Sequence, residues 1–242
     1  MKIYILILAI LPVSFFIGWI YFKDKYEKEP PIKLIEYFLL GILVSVLAIF
    51  LELYFSKLNR FSGITEYLYI AFFVTAFIEE GLKFIVLTPI ILKDKNFNEK
   101  LDGIIYSIFL SLGFATIENI IYLMKERSDL TLGLGISRGL ISIPSHIMFA
   151  ITMGYYISKY KFTKEGYKDN KYLIYALVIP VLIHGVFDFI LMIGYRWAII
   201  VFIVYIIFLW KFNLDKLDKY ALYSKIRFYK RKNKSRKGDK ID

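Results

Sequence analysis

Apolar stretches about as long as a membrane-spanning helix recur along the chain, separated by short polar segments rich in lysine. A run of about 20 apolar residues is long enough for a helix to cross the hydrocarbon core of a bilayer. We predict seven such spans. In chain order they are Ile3–Phe22, Leu34–Phe55, Tyr67–Leu92, Leu101–Met124, Leu130–Ser158, Tyr172–Ile193 and Trp197–Trp210. The fold class is therefore an all-α polytopic membrane protein.

The first and the last of these stretches are the least regular. Ile3–Phe22 could instead be a signal peptide, but its apolar part is long for one and no Ala-x-Ala cleavage site follows it. We therefore predict an uncleaved first helix. Trp197–Trp210 holds only about 14 residues, which is short for a span, so we expect an incomplete or tilted crossing there.

Lysine and arginine are distributed unequally between the two sets of loops. The segments after the first, third, fifth and seventh spans contain 4, 3, 5 and 12 of them, whereas the N-terminus and the segments after the second, fourth and sixth spans contain 1, 2, 2 and 1. Because cytoplasmic loops carry the excess of basic residues, we predict that the N-terminus lies outside and the C-terminus lies in the cytoplasm.

The composition excludes several function classes. The 242 residues include no cysteine, which removes disulfide frameworks, thiolate metal sites and cysteine nucleophiles. The net charge of +11 is concentrated in the tail "KIRFYKRKNKSRKGDK", which could be mistaken for a nucleic-acid-binding arm. Cytoplasmic retention and attraction to anionic lipid head groups account for this charge. We therefore expect the lipid bilayer as a partner and no nucleic acid.

Ionisable residues lie within four of the predicted spans, away from the span ends. They are Glu79, Glu80 and Lys83 on the third, Glu118 on the fourth, Arg138 and His146 on the fifth, and His184 and Asp188 on the sixth. Such groups are costly in hydrocarbon and usually mark a functional site. Both histidines of the chain are among them. On the second span, Glu36 and Glu52 are expected near the helix ends, where they can reach head groups.

Helical spacing and depth bring these groups together. Residues four apart share a helix face, which pairs Glu79 with Lys83 and His184 with Asp188. At 1.5 Å per residue, Glu79, His146 and His184 fall near the middle of the bilayer, and Glu118 lies nearer the outer side. We expect one water-containing cavity, open to the outside, to hold them. Two adjacent carboxylates in such surroundings should not both ionise freely, which suits a general base.

Two motifs of other protease families are absent. The sequence lacks the Tyr-Asp and Gly-x-Gly-Asp pair of presenilin-like aspartyl proteases and the zinc-binding His-Glu-x-x-His. What remains is water activated by a carboxylate, with histidines and an amide available to polarise a carbonyl. Gly113, Gly139, Gly154 and Gly185 are predicted to permit close contact between helices.

Four segments carry a resemblance to a known family. They are "EEGLK" at 79–83, "GFATIENIIY" at 113–122, "RGLISIPSHIMFAITMGYY" at 138–156 and "HGVFD" at 184–188. In order and character they resemble the four motifs of the PrsW family of intramembrane proteases, which is related to the CPBP group that includes the CAAX prenyl endopeptidases. The resemblance covers a little under half of the chain, and the four motifs occur in order on separate predicted spans.

This resemblance implies a glutamate-dependent, metal-independent peptidase of the bacterial cell membrane without a cofactor. Its expected substrate is a single-span membrane protein, typically an anti-sigma factor, cut near its extracytoplasmic side to activate a sigma factor. Glu79 and Glu80 match the essential glutamate pair, and His146 and His184 match the motif histidines expected to stabilise the oxyanion.

Other positions match the family motifs less directly, and we expect supporting roles for them. Asn119 is a candidate donor to the oxyanion, and Glu118 is expected to lock the fourth span. Arg138 is expected to pair with Glu118, Lys83 to balance charge, and Asp188 to fix the tautomer of His184. Asp102 is predicted to be an acidic residue at the N-terminus of a helix, where a negative charge is favourable.

The predicted organisation has three parts. Residues 1–66 form two helices, residues 67–193 form a four-helix catalytic core, and residues 194–242 form the last helix and a basic cytoplasmic tail. An ion- or proton-coupled transporter would use the same buried residue types, but no repeat relates two halves of the chain. A non-catalytic relative of the family, and a metal site built from His146, His184, Glu79 and Glu118, are further alternatives. No oligomeric state is predicted.

Overall fold

The computed structural model describes residues 3–125, 131–163 and 169–238, and these residues form seven helices. The helices are α1 (Ile3–Lys23), α2 (Pro31–Lys57), α3 (residues 64–93), α4 (Lys100–Lys125), α5 (Thr131–Lys161), α6 (Lys171–Ile193) and α7 (Ala198–Gly238). No strand occurs within these residues. The all-α prediction is confirmed. Leu130, where the fifth span was expected to begin, lies outside the described ranges.

Six of the seven helices are long and apolar enough to cross a membrane, namely all except α3. Helix α3 carries Glu79, Glu80 and Lys83 near its middle, which interrupts its apolar surface. It nevertheless packs against α2, α4 and α6 within the bundle. The chain is therefore a polytopic helical membrane protein in which the least apolar helix is surrounded by more apolar ones.

Helix α4 lies at the centre of the bundle. Every residue from Leu101 to Thr116 is buried, and α4 packs mainly against α2 and α5. A β-carbon built on Gly113 would lie 1.9 Å from the carbonyl oxygen of Phe38, and one on Gly154 would lie 2.2 Å from that of Gly103. Both crossings therefore require glycine. The expected close contacts at Gly139 and Gly185 are also present, against Pro12 and Phe72 respectively.

Two helices contain a π-helical segment. In α3 it spans Tyr69–Phe77 and ends immediately before Ile78 and the adjacent glutamates. In α5 it spans Arg138–Ser142 and ends four residues before His146. The wider turn of a π-helix shifts the residues that follow it around the helix axis, and such segments are frequent at functional sites. The apolar pattern of the sequence gives no indication of either segment.

The last helix differs from the prediction. A span of about 14 residues at Trp197–Trp210 was expected, but α7 runs for 41 residues from Ala198 to Gly238. The prediction of a short crossing is wrong, and the described part of the basic tail continues the same helix. At 1.5 Å per residue a helix of this length is about twice as long as a bilayer core is thick, so its second half projects beyond the hydrocarbon.

This projecting half of α7 contacts the loops that follow α1 and α3. Arg227 donates to the carbonyl oxygen of Asn98 at 2.8 Å and lies 3.8 Å from Glu99, while Arg231 donates to Glu27 at 2.5 Å.

Burial raises the pKa of Glu29 and of Glu99, each to about 7. Asp102 accepts hydrogen bonds from the backbone N–H groups of residues 98 and 99, as expected for an acid at a helix N-terminus.

Candidate active site

Lys83 joins the two glutamates of α3 to a neighbouring helix. Its Nζ donates to Glu79 Oε2 at 3.1 Å and to Glu80 Oε1 at 2.8 Å, and it lies 3.4 Å from His146 Nδ1. An ammonium has three donors, so these three partners use all of them. The Lys83 side chain is 2% exposed, and its Nζ also lies 3.9 Å from the centre of the Phe114 ring. The predicted pairing of Glu79 with Lys83 is confirmed.

His146 on α5 links this group to Glu118 on α4. Its Nε2 lies 2.7 Å from Glu118 Oε2, and because a carboxylate oxygen accepts, His146 donates. In the neutral ring, Nδ1 then carries the lone pair and can accept from Lys83. Arg138 forms the predicted ion pair with Glu118, with 3.0 Å between Nη2 and Oε1. One carboxylate therefore orients both the imidazole and the guanidinium.

His184 on α6 contacts two carboxylates. Its Nδ1 donates to Glu80 Oε1 at 3.2 Å, and its Nε2 lies 3.3 Å from Asp188 Oδ2 without the angle of a hydrogen bond. Phe149 of α5 stacks on the imidazole, with 4.5 Å between ring centroids and 21° between the planes. The ring of His184 is thus held by one firm hydrogen bond and by stacking, and its Nε2 is the less constrained nitrogen.

A cavity of about 370 Å³ lies among these groups. Six of the predicted site residues line its wall, namely Glu79, Glu118, Arg138, His146, His184 and Asp188. The expectation of one cavity holding Glu79, Glu118, His146 and His184 is confirmed. Glu80, Lys83 and Asn119 do not line it. The two adjacent glutamates therefore differ, since Glu79 faces the space that a substrate could occupy and Glu80 lies behind it.

Asn119 does not have the expected position. Its side chain is fully buried, its Nδ2 donates to the carbonyl oxygen of Ala9 at 3.1 Å, and its Oδ1 accepts from Arg138 Nε at 2.8 Å. The expectation that this amide faces a reacting carbonyl is therefore corrected, because the amide holds Arg138 and ties α4 to α1. A single sequence does not show which neighbour a buried amide will meet.

Glu52 is a residue that the sequence pattern led us to set aside. It was expected to reach the head groups from the end of α2, but it is half-buried and lines a small cavity together with Glu79 and Glu118. The sequence analysis also missed Phe114 and Phe149 as site residues. An aromatic residue in an apolar span cannot be distinguished by sequence from a residue of the hydrophobic core. Their contacts with Lys83 and His184 depend on the packing of three different helices.

Comparison with known proteins places this geometry in a family. A family model described as "PrsW family intramembrane metalloprotease" matches residues 29–212. The chain is 54% identical to Protease PrsW of Clostridioides difficile (strain 630) over 237 residues, which cover 98% of this chain and 100% of the relative. The chain belongs to the PrsW protease family.

More distant PrsW relatives also align along most of their length. Protease PrsW of Bacillus subtilis (strain 168) is 32% identical over 87% of this chain and 93% of its own, and that of Oceanobacillus iheyensis (strain DSM 14371 / CIP 107618 / JCM 11309 / KCTC 3954 / HTE831) is 35% identical over 89% and 95%. No solved structure matches the chain. Because these relatives are named as proteases, the comparison favours a protease over the transporter that the sequence analysis left as an alternative.

The description of the PrsW family as metalloproteases can be compared with the residues present. Among the residues that the structure describes, two sets of side chains each bring three possible ligand atoms within 4.8 Å of one another. One set is Glu79, Glu80 and His184, and the other is Glu79, Glu118 and His146. Carboxylates and imidazoles are suitable zinc ligands. Both groups contain Glu79, however, whose Oε2 lies 3.1 Å from the Lys83 ammonium. A metal ion beside that ammonium would be opposed by its charge, so this arrangement fits a paired carboxylate better than a metal centre.

Proposed function

We propose that this protein is an intramembrane endopeptidase of the bacterial cell membrane that uses Glu79, and no metal ion, to activate water. The single observation that carries the proposal is the position of Glu79. It lines the central cavity with both histidines, and Lys83 holds it in place from behind. A general base must reach the water that it deprotonates, and of the two adjacent glutamates only Glu79 meets that condition.

The first step is addition of water to the scissile carbonyl. With the peptide bond in the cavity, Glu79 takes one proton from a water molecule as the water oxygen attacks the carbonyl carbon. The carbonyl oxygen becomes an oxyanion, which requires a hydrogen-bond donor aimed at it. His184 lines the cavity, and its Nε2 is poorly aligned with Asp188. Because Nδ1 already donates to Glu80, Nε2 carries a proton only when the ring is an imidazolium. We propose that His184 is in this form, with Glu80 and Asp188 balancing its charge. We assign the oxyanion contact to the Nε2–H of His184.

The second step is collapse of the tetrahedral intermediate. The bond from carbon to nitrogen breaks, and the proton held by Glu79 passes to the departing nitrogen, which leaves as an amine. The other product carries the new carboxyl group, and Glu79 returns to its starting form. Each cleavage therefore consumes one water molecule and needs neither an oxidant nor a cofactor.

The remaining polar residues position these groups. Glu80 accepts from both Lys83 and His184 through the same oxygen and so fixes their relative placement. His146 was expected to stabilise the oxyanion as well. Its Nε2–H already donates to Glu118, and its Nδ1 faces Lys83. We therefore assign His146 to alignment of the site, with Glu118 and Arg138 supporting it.

The cavity suits a segment of polypeptide that arrives from within the bilayer. Beside its polar groups, its wall includes Leu134 and Ile141 of α5 and Leu191 and Met192 of α6. Both Ile141 and Leu191 are exposed on the surface of the bundle, which in a membrane faces lipid. We propose a single-span membrane protein as the substrate, with a bacterial anti-sigma factor, whose cleavage activates a sigma factor, as the expected class. The predicted orientation places the cleavage near the extracytoplasmic side.

A co-expression assay tests this proposal. A panel of tagged single-span bacterial anti-sigma factors is expressed with the wild-type protein, with Glu79→Gln and with the control Glu66→Gln. Glu66 lies on the same helix α3 but is only partly buried and contacts Asn59 instead of the cavity. We expect a shortened fragment of at least one panel member with wild type and with Glu66→Gln, and none with Glu79→Gln. Equal cleavage by Glu79→Gln at equal protein levels would contradict the proposal.

A further inference from the structure

A second cavity, of about 50 Å³, adjoins the central one. Thr75, Glu79, Glu118 and Tyr122 line both cavities. Ser45, Ile49 and Glu52 of α2, together with Phe114 of α4, complete the smaller one. Glu79 and Glu118 thus lie between the space proposed for the substrate and a small polar space closed by α2.

Glu52 stands out among the acidic residues around these cavities. Glu79 and Glu80 contact Lys83, Glu118 contacts Arg138, and Asp188 lies 3.3 Å from His184. Within residues 3–125, 131–163 and 169–238, no hydrogen bond or ion pair involves the Glu52 carboxylate. Because a polar group in a membrane-spanning segment requires a hydrogen-bonding partner, water is the partner that remains for Glu52.

The size and the lining of the small cavity suit water. A cavity needs a volume of roughly 10–15 Å³ to hold one water molecule. The small cavity, with about 50 Å³, therefore accommodates more than one. The Ser45 hydroxyl donates to the carbonyl oxygen of Ile42 at 2.7 Å, which leaves its oxygen able to accept. Ser45, Thr75 and Glu52 together offer the several polar contacts that an ordered water molecule makes.

We propose that Glu52 is a positioning residue that holds water in the small cavity and supplies it to Glu79. This inference rests on the proposed function, in which each cleavage consumes one water molecule. Glu52 does not line the central cavity, so it does not contact the peptide bond and is not the general base. Glu52 lies near the end of α2 that we predict to be extracytoplasmic, from which water would enter.

The test uses three variants of the full-length protein purified in detergent, assayed on the anti-sigma factor of the panel that wild type cleaves fastest. Glu52→Leu removes the polar group but keeps a side chain of similar size. Glu52→Gln restores a polar group that can bind water. Glu36→Leu is the matched control, since Glu36 lies on the same helix, is exposed and pairs with Lys33 at 2.6 Å.

We expect Glu52→Leu to lower kcat by about tenfold with KM unchanged, because an ordered water molecule is lost while the substrate cavity is intact. Glu52→Gln should retain most of the wild-type kcat, and Glu36→Leu should retain all of it. An unchanged kcat in Glu52→Leu would overturn the inference. An equal loss in the Leu and Gln variants, with a lower unfolding midpoint in both, would overturn it in favour of a structural role.

The same assay separates this inference from the proposed function. Glu79→Gln is measured beside the Glu52 variants. If Glu79→Gln is inactive while Glu52→Leu is as fast as wild type, the proposed function stands and the role of Glu52 is wrong. If folded Glu79→Gln cleaves at the wild-type rate, the proposed function itself fails.

Discussion

Lys83 balances the charge of the two glutamates beside the central cavity. One buried ammonium contacts Glu79, Glu80 and His146, which come from two helices, and no other Lys or Arg within the described residues contacts the two glutamates. Removing one partner of a buried charge pair leaves the other charge without compensation, and this costs far more than the intact pair contributes.

Replacement of Lys83 should therefore be strongly destabilising. We expect Lys83→Met, which keeps a long side chain, to lower the free energy of unfolding by about 3–5 kcal/mol, because two buried carboxylates lose their cation. The control is Lys93→Met at the exposed end of the same helix, where a surface charge contributes about 0–1 kcal/mol. Thermal unfolding of both purified variants in the same detergent gives the comparison. Equal midpoints for the two variants would contradict this view of Lys83.

Much of the site could be predicted at the level of single residues, because intramembrane charges are few and helical spacing is regular. The pairs of Lys83 with Glu79 and of His184 with Asp188 follow from residues four apart on a helix. The position of Glu52 could not be predicted in this way. Whether a carboxylate near a span end turns toward head groups or toward a cavity depends on the neighbouring helix, and the sequence of α2 does not contain that information.

At the level of the helices, close crossings through glycine bring the side chains of the candidate site together. Helix α4, which carries Glu118, meets α2 at Gly113 and meets α5, which carries His146, at Gly154. Glycine allows two backbones to approach in a way that any side chain prevents. The small separation of Glu118 and His146 therefore depends on residues that take no part in the chemistry.

Gly113→Ala should show this dependence. Its new methyl group would lie 1.9 Å from the carbonyl oxygen of Phe38, so the two helices must separate, at a cost of about 1–3 kcal/mol typical of overpacking. Gly18→Ala on α1 is the control, because nothing lies within 4 Å of its added carbon. Since alanine favours helix by up to about 1 kcal/mol over glycine, Gly18→Ala should be neutral or stabilising. The measurement is the unfolding midpoint of each variant. A shift of both midpoints in the same direction would contradict the proposed role of Gly113.

The helices themselves were predictable from apolar length, but their internal irregularities were not. The π-helical segment at Tyr69–Phe77 contains neither glycine nor proline, whereas the one at Arg138–Ser142 contains Gly139 and is followed by Pro144. They occur where α3 and α5 turn their polar residues toward one cavity. Tertiary packing is therefore the physical cause that remains for Tyr69–Phe77, whereas Pro144, which has no backbone N–H, is a local cause available for Arg138–Ser142.

For the whole molecule, the structure gathers the lysine-rich loops at one end. Lys23 pairs with Asp218 at 2.7 Å, Arg227 contacts Asn98, and Lys161 donates to the carbonyl oxygen of Asp94 at 3.4 Å. The loops after α1 and α3, the C-terminal end of α5 and the second half of α7 thus share one side of the bundle. The orientation predicted from the basic residues puts this side in the cytoplasm. The length of α7 was not predictable, because its second half is polar and its partners lie in distant loops.

Single cysteines can test that orientation, since the chain contains no cysteine of its own. Ser62→Cys lies in the loop after α2 and Lys95→Cys in the loop after α3, and both native residues are exposed. We expect a membrane-impermeant maleimide to label Ser62→Cys in intact cells, and Lys95→Cys only after the membrane is opened. Labelling of Lys95→Cys alone in intact cells would show that the orientation is reversed.

The most direct test of the account is the cleavage rate of the purified protein after treatment with a strong chelator, with metal content measured on the same sample. We expect the metal-free wild-type protein to keep its cleavage rate. In the same assay, the cleavage rate of Glu79→Gln should be at least about 100-fold lower than that of wild type, because the general base is absent. Loss of wild-type cleavage in chelator with recovery on added zinc, or a wild-type rate in folded Glu79→Gln, would contradict a glutamate-activated, metal-free mechanism.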